Sequence, residues 1–496
     1  MPGATRLPLF IERNGRSLQE QIYSSIRGCI VDGRVPAGRR LPSTRELAAD
    51  LKVSRTTALL AVEQLRAEGY VVALRGSGTF VAASPPDSRA PRMEPPGLPV
   101  SRPAFSRRGR VLAGLDAPDR RRAGMAPCAF RLGTPALDLF PQGTWARLTR
   151  ECLRSIKSPQ LDYAPLAGLH ALREAIAAVV QSRGTRCDAD QVIVVAGAQR
   201  GLDLSARLLL DPGDGAWMED PGYPGARGAL LAAGARIMAM PVDGEGMVID
   251  RGAAGDARLA YVTPSCQFPL GVPMSVQRRH ALLDWARRSQ AWVIEDDYDC
   301  DLRHSRVPLP CLHSLDPDGR VIYLGTFSKS LFPALRLGFL IVPRGLQAGF
   351  IRARLATDLH PPLLEQRVLA AFIERGHYER HLRRMQSAYA ERLEALQRAV
   401  ERVGAPLRLR AVHAGMHAIV DVEGVSAERV HEAAFALGVE TMPLAAYYEP
   451  RGPRPVGAER LPNALFLGFG AVPPTQLRTG VTRLARAIEA ARRQAS

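Results

Sequence analysis

Residues 325–339, GTFSKSLFPALRLGF, set a lysine between two serines, with an arginine seven residues on. The chain has 66 Lys plus Arg, and only Lys52, Lys157 and Lys329 are lysine. A chain that otherwise uses arginine keeps lysine at 329, which points to a task arginine cannot perform. A guanidinium stays protonated and delocalised, whereas an amine can lose its proton and condense with an aldehyde. Other apolar segments also end in groups that could do chemistry. AWVIEDDYDC closes on Asp296, Asp297 and Tyr298. QVIVVAGAQRGLDL turns through Gly197, Ala198 and Gln199 into a helical pattern, whose first backbone N–H groups suit a phosphate. Ser328 and Arg336 offer a hydroxyl and a charged fork to the same anion. A cofactor with an aldehyde, a ring nitrogen and a phosphate needs an amine, a carboxylate and an anion cradle. Lys329, Asp296 and the set Gly197, Ala198, Gln199, Ser328 and Arg336 supply them in turn.

Those residues need a scaffold. Several apolar runs separated by helical patterns predict an α/β fold with a mainly parallel sheet, its polar residues at the strand ends where ligands bind. At 496 residues the chain is long enough for more than one core. Its 46% hydrophobic and 23% charged composition is globular. No run of eighteen apolar residues is present, so no transmembrane helix is expected. The first residues lack a basic segment followed by an apolar one, so they do not read as a secretory signal. Seven cysteines are scattered and never spaced C-x-x-C, which argues for a reducing cytoplasm and against a disulfide framework or a metal site.

The net charge is +17, and it is uneven. Residues 1–127 carry 21 Arg plus Lys against 11 Asp plus Glu, so ten of the seventeen excess charges sit in the first quarter. That is the electrostatic footprint of a nucleic-acid binder. In the same region Leu18, Ile22, Ile26 and Ile30 recur every four residues and predict a first helix. LPSTRELAADL predicts a second, with Ser43 and Glu46 as a capping box. SRTTALLAVEQL predicts a third, capped by Ser54, with Ala58, Ala61, Val62 and Leu65 inward. VVALRGSGTFV reads as a hairpin. Three helices and a hairpin make a winged helix-turn-helix over residues 12–82. The exposed helix start Ser54, Arg55, Thr56, Thr57 suits the major groove of double-stranded DNA. Ser43 and Arg45 on the second helix, and Arg75 and Gly76 at the wing, are the further DNA candidates. Residues 83–127, rich in proline and arginine, read as an extended linker. Residues 128–496 form the effector unit.

The stretch LPSTRELA…VSRTT…LRAEGYV…RGSGTFV resembles the GntR family of bacterial repressors. DYAPLAGLHALREAIA, EDPGYPGAR, TPSCQFPLG, EDDYD and GTFSKSLFPALRLGF resemble fold-type I aminotransferases that use pyridoxal 5'-phosphate (PLP). Head and body together resemble the MocR subfamily of transcription factors. The resemblance implies a large sheet domain with a smaller α+β C-terminal domain. It implies an internal aldimine on Lys329, Asp296 on the ring nitrogen with Asp297 as the alternative, and Tyr298 on the phenolic oxygen. It also implies that Tyr223 stacks on the ring, that Ser328 and Arg336 bind phosphate, and that Gln267 reaches the ring oxygen. Tyr163 would reach a neighbouring subunit's phosphate, because the family works as an intertwined homodimer.

Three departures from that pattern bear on function. Cys266 and Leu270 stand where histidine and a hydroxyl residue are common. Phe466 occupies the position where aminotransferases of this type place an arginine for the substrate carboxylate. Gly225 stands two residues after Tyr223, where a GABA-responsive member carries an arginine, and Arg227 lies nearby. The expectation is a PLP-binding regulator without efficient turnover, its effector PLP itself and its targets in vitamin B6 metabolism. Alternatives are a regulator that senses an amine or amino compound through an external aldimine, or a working aminotransferase.

Overall fold

The computed structural model describes residues 11, 17–74, 76–86, 105–115, 128–249, 256–299, 310–449 and 461–494. Arg75, Cys300 and most of the linker lie outside them. The chain divides into two units, Met1–Ala104 and Phe105–Ser496.

In the first unit the helices are α1 (Leu18–Val31), α2 (Thr44–Asp50) and α3 (Arg55–Ala67). Ile22, Ile26 and Ile30 of α1 pack on Leu47 of α2 and on Ala58, Ala61, Val62 and Leu65 of α3. Both capping-box bonds form: Glu46 N–H donates to Ser43 Oγ at 3.2 Å, and Ser43 N–H to Glu46 Oε2 at 2.7 Å. Ser54 Oγ accepts from Thr57 N–H at 3.0 Å. These N-caps start α2 and α3 where the pattern requires, so the two helices are joined by a tight turn. The hairpin pairs β1 (Val71–Leu74) with β2 (Gly78–Val81), from Val71 opposite Val81 to Leu74 opposite Gly78. Gly78 has φ +115°, and a Cβ there would come within 2.8 Å of the Arg40 side chain, so the wing needs glycine at this corner.

The second unit holds an eight-stranded mixed sheet. Its strands are β3 (Val192–Val195), β4 (Gly215–Asp220), β5 (Arg236–Asp243), β6 (Gly246–Met247), β7 (Ala257–Val262), β8 (Trp292–Asp296), β9 (Val321–Thr326) and β10 (Gly338–Ile341). They lie in the order β3-β10-β9-β8-β7-β4-β5-β6. The central strands run parallel, whereas β10 runs antiparallel to both β3 and β9. Val192–Val195 are all fully buried, as expected of a strand covered on both faces by helices. Gly338 at the start of β10 faces Val195 and Thr326 at the ends of β3 and β9. The segments entering β10 and leaving β3, β8 and β9 therefore meet at one edge.

A smaller four-stranded antiparallel sheet follows, β11 (Leu407–Leu409), β12 (His417–Val422), β13 (Met442–Pro443) and β14 (Ala464–Gly468), in the order β11-β12-β14-β13. Helices His377–Val403 and Pro474–Arg493 cover it through Met385, Tyr389, Leu396, Leu477 and Leu484.

The linker is not wholly extended. Arg107–Ala113 forms a short helix capped by Ser106, whose Oγ accepts from Gly109 N–H at 3.0 Å. Arg108 Nη2 donates to Ala233 O at 3.4 Å, and Leu115 lies over Gly228 of helix Pro224–Ala233. The helix buries none of its own residues, in keeping with its arginine-rich composition; small residues on the neighbouring helix make room for its side chains.

Candidate cofactor and effector site

The shared strand edge brings Lys329 and Asp296 together. Lys329 sits in the turn after β9, half-buried, and its Nζ donates to Gly133 O at 3.0 Å. Asp296 ends β8 and is 4% exposed. Its Oδ2 accepts from Tyr261 O–H at 2.8 Å, while its buried Oδ1 has no partner among the described residues. Burial pushes this carboxyl up to about 7; Tyr261 pulls it back, neighbouring Asp297 pushes it further and the Lys329 ammonium pulls it down. A buried carboxylate oxygen without a donor is costly unless a ligand supplies one. A protonated ring nitrogen is such a donor, so these residues fit the cofactor that the fold implies.

The phosphate candidates converge at the same edge. Helix Ala198–Leu209 starts directly after Gly197, which has φ +85°. A Cβ at Gly197 would lie 3.1 Å from Arg336 Cζ, so the guanidinium rests against this glycine. Arg336 is exposed, holds a left-handed backbone at φ +52° and donates to Ala196 O at 3.2 Å. Ser328 adjoins Lys329, and its N–H donates to Thr326 Oγ1 at 3.2 Å. Arg336, Ser328 and a helix N-terminus are a fitting set for a phosphate dianion.

Two tyrosines lie around the Tyr261–Asp296 pair. Tyr223 caps helix Pro224–Ala233. A Cβ at Gly225 would collide with the Tyr223 ring and with Gln199 Oε1, both at 2.5 Å, which accounts for glycine after Tyr-Pro. Gln199 Nε2 donates to Gly225 O at 2.8 Å and ties the two helix starts together. Phe268 meets Tyr223 edge-on at 5.6 Å and Tyr298 at 6.1 Å. Burial, with Cys266 and Asp299 alongside, pushes the Tyr298 hydroxyl well above its usual range, so it keeps its proton.

Some expected contacts are corrected. Gln267 does not offer its amide to the ring oxygen. Its Nε2 donates to Pro221 O at 2.8 Å and Phe268 O at 2.7 Å, with Glu219 Oε2 at 3.3 Å, and its Oε1 accepts from Leu270 N–H at 3.0 Å. It braces its own loop. Asp297 Oδ2 accepts from Tyr323 O–H at 2.6 Å, and Tyr323 packs in a different core cluster from Tyr261. Consecutive residues at a strand end diverge in this way, so the two carboxylates address different surroundings. Arg227 is closed on Glu449 by two hydrogen bonds, at 2.7 and 3.0 Å. Tyr163 is 80% exposed, its ring edge-on to His360, and this chain alone does not bring it to Lys329.

Phe466 lies on β14, 1% exposed, with its ring 5.4 Å from Phe268 and Tyr447 and 5.0 Å from His417. It helps line a cleft of about 360 Å³ with Cys266, Leu270, Tyr298, His417 and Ile419. His417 is a site residue that sequence reasoning missed. Its Nε2 accepts from Gly133 N–H at 3.0 Å, and burial, with Lys329 adding, pushes it down to about 3. It is therefore neutral and offers no charge to a carboxylate. Gly133, between His417 and Lys329, was missed as well; nothing in its local sequence marks it. Glu219 and Tyr261 were missed too. Burial raises Glu219 to about 7, and Thr263 Oγ1 donates to it at 2.6 Å.

In the first unit Ser43, Arg45, Ser54, Arg55 and Thr56 are exposed, and Thr57 is half-buried. The hydroxyls of Ser54 and Thr57 lie 2.7 Å apart. Gly76 sits in the wing turn with φ +77°, and Arg75 lies outside the described residues.

A winged helix-turn-helix followed by a unit of aminotransferase build defines a DNA-binding regulator with a small-molecule domain. The sequence profile of the gntR family of bacterial regulatory proteins matches residues 18–81, and that of aminotransferase class I and II matches residues 136–442. The chain is 39% identical to the probable rhizopine catabolism regulatory protein MocR of Rhizobium meliloti, over 95% of this chain and 94% of that one. It is 30% identical to the pyridoxine biosynthesis transcriptional regulator PdxR of Corynebacterium glutamicum, over 95% and 96%. Among solved structures, the α-aminoadipate aminotransferase LysN of Thermus thermophilus, complexed with N-(5'-phosphopyridoxyl)-L-leucine, matches with TM-score 0.68 and 28% identity, over 77% of this chain and 97% of that one. The chain belongs to the MocR-type GntR transcriptional regulators. Its second unit has the fold of PLP-dependent class I and II aminotransferases.

Proposed function

We propose that this regulator is a cytoplasmic homodimer that holds PLP on Lys329 and senses PLP itself, controlling vitamin B6 metabolism. The observation that carries the reading is a lysine amine near enough to pull down the Asp296 carboxyl, at a sheet edge where the buried Asp296 Oδ1 has no partner among the described residues. When bound, PLP supplies an aldehyde to the lysine and an electron-withdrawing ring. Asp296 would hold the ring nitrogen, Tyr298 the phenolic oxygen and Tyr223 the ring face. Ser328, Arg336 and the N–H groups after Gly197 would hold the phosphate. Tyr163 is exposed in one chain and is available to a second. PdxR, a relative along nearly the whole chain, is named for pyridoxine biosynthesis, which supports the B6 assignment. The cleft lined by Tyr298, His417 and Phe466 supports a second reading, an amine as co-effector. Reconstituting apoprotein with PLP is expected to give a visible absorbance band that saturates at one cofactor per chain. A titration without such a band would reject the reading.

The DNA face is tested separately. Arg55, exposed at the start of α3, is placed to read guanine. Arg55→Ala is expected to weaken operator binding by about 1–3 kcal/mol and relax base preference. Arg45→Ala is expected to weaken all sequences alike and flatten the salt dependence, as loss of a phosphate contact does. Operator affinities equal to wild type in both variants would refute this docking.

A further inference from the structure

Among the described residues, Asp296 is held by a single side chain. Tyr261, on the neighbouring parallel strand β7 opposite Ile294, is 1% exposed and sends its hydroxyl to Asp296 Oδ2 at 2.8 Å. The other oxygen is left without a partner among the described residues. We infer that Tyr261 is a positioning residue: its hydroxyl fixes the Asp296 carboxylate so that Oδ1 faces the cofactor ring. The inference rests on PLP being bound at Lys329.

The charges around Asp296 explain why this one bond matters. Asp297 follows it on the same strand, Glu219 lies on β4, Lys329 follows β9, and Tyr298 and Tyr223 approach from neighbouring segments. Burial and Asp297 favour the protonated acid, whereas Tyr261 and Lys329 favour the anion. Once Lys329 is committed to the cofactor, its free ammonium no longer supports the anion. Among the described residues, Tyr261 is then the donor left to do so. With PLP bound, its ring nitrogen and Asp296 would share one proton. A more basic Asp296 draws that proton toward itself and leaves the ring less cationic. A less cationic ring withdraws fewer electrons from the lysine nitrogen, which then keeps its proton to higher pH.

The sign of the test follows. Full-length wild type, Tyr261→Phe and Tyr323→Phe are loaded with PLP, and the absorbance of the lysine-linked cofactor is followed against pH. In Tyr261→Phe the midpoint is expected to move up by about one pH unit, the size of one hydrogen bond to a charged group. Tyr323 is equally buried and donates to Asp297 instead, at 2.6 Å. Tyr323→Phe is therefore expected to leave the midpoint in place, which separates positioning from general core damage. In an Asp296→Asn background, Tyr261→Phe is expected to add nothing. If Tyr261→Phe does not fold, 3-fluorotyrosine at 261, a stronger donor, is expected to move the midpoint down. An unmoved midpoint in the folded Tyr261 variant, or an equal shift in Tyr323→Phe, overturns the inference. Absence of the band in wild type instead overturns the cofactor assignment beneath it.

Discussion

Lys329→Ala is expected to abolish the covalent adduct: borohydride treatment of the PLP-loaded wild type fixes cofactor on the peptide containing residue 329, and the variant yields none. The fold is expected to survive, because Lys329 is half-buried and lies in a turn rather than in a core cluster. PLP is still expected to bind, held by Arg336, Ser328 and the helix start after Gly197. Loss of a charged anchor weakens that binding by about 10- to 100-fold. The variant has a second signature. Lys329 lowers the Asp296 pKa, so its removal leaves that carboxyl titrating higher still and makes it a poorer partner for a cationic ring. An adduct mapped to Lys157 or Lys52 in wild type would refute the assignment.

Turnover of amino acids is expected to be poor. Transamination needs the α-proton presented to the Lys329 amine, and orientation of this kind is worth several kcal/mol of barrier, about 7 or more in favourable cases. The usual anchor is an arginine fork on the carboxylate. Here Phe466 fills that position inside a ring of Phe268, Tyr447 and His417, Arg227 is closed on Glu449, and His417 is neutral. A carboxylate entering this cleft would be desolvated without a countercharge. Spectral titration with common α-amino acids and GABA is expected to show weak binding, and a keto-acid assay little product. Phe466→Arg is not expected to rescue activity, since the guanidinium would sit among aromatic rings without an acid partner. Turnover in wild type at about 1 per second or faster would make this an enzyme and overturn the sensor reading.

What the chain discloses before folding is whatever depends on local spacing or on chemical necessity. Ser43 and Glu46 lie three residues apart, and both bonds of their box form. Lys329 stands out because it is one of only three lysines in an arginine-rich chain and lies between two serines at the end of an apolar run. Gln267 shows the opposite: the resemblance sends its amide to the ring oxygen, whereas the folded loop engages that amide with Pro221 O and Phe268 O. Tyr261 and His417 were invisible because their partners lie 35 and 284 residues away. The linker helix Arg107–Ala113 was hidden by composition, since proline and arginine content outweighed one serine cap.

A regulator that senses PLP has to couple cofactor on Lys329 to how its winged helices hold DNA. The direct measurement is affinity for the protein's own upstream intergenic DNA as PLP is titrated into apoprotein, with occupancy read by absorbance in the same samples. Wild-type affinity is expected to change by about fivefold or more as the site fills, the scale of an allosteric coupling. In Lys329→Ala the change is expected only at higher PLP, in step with its weaker binding. An affinity that stays constant while absorbance shows the site saturated would contradict the account.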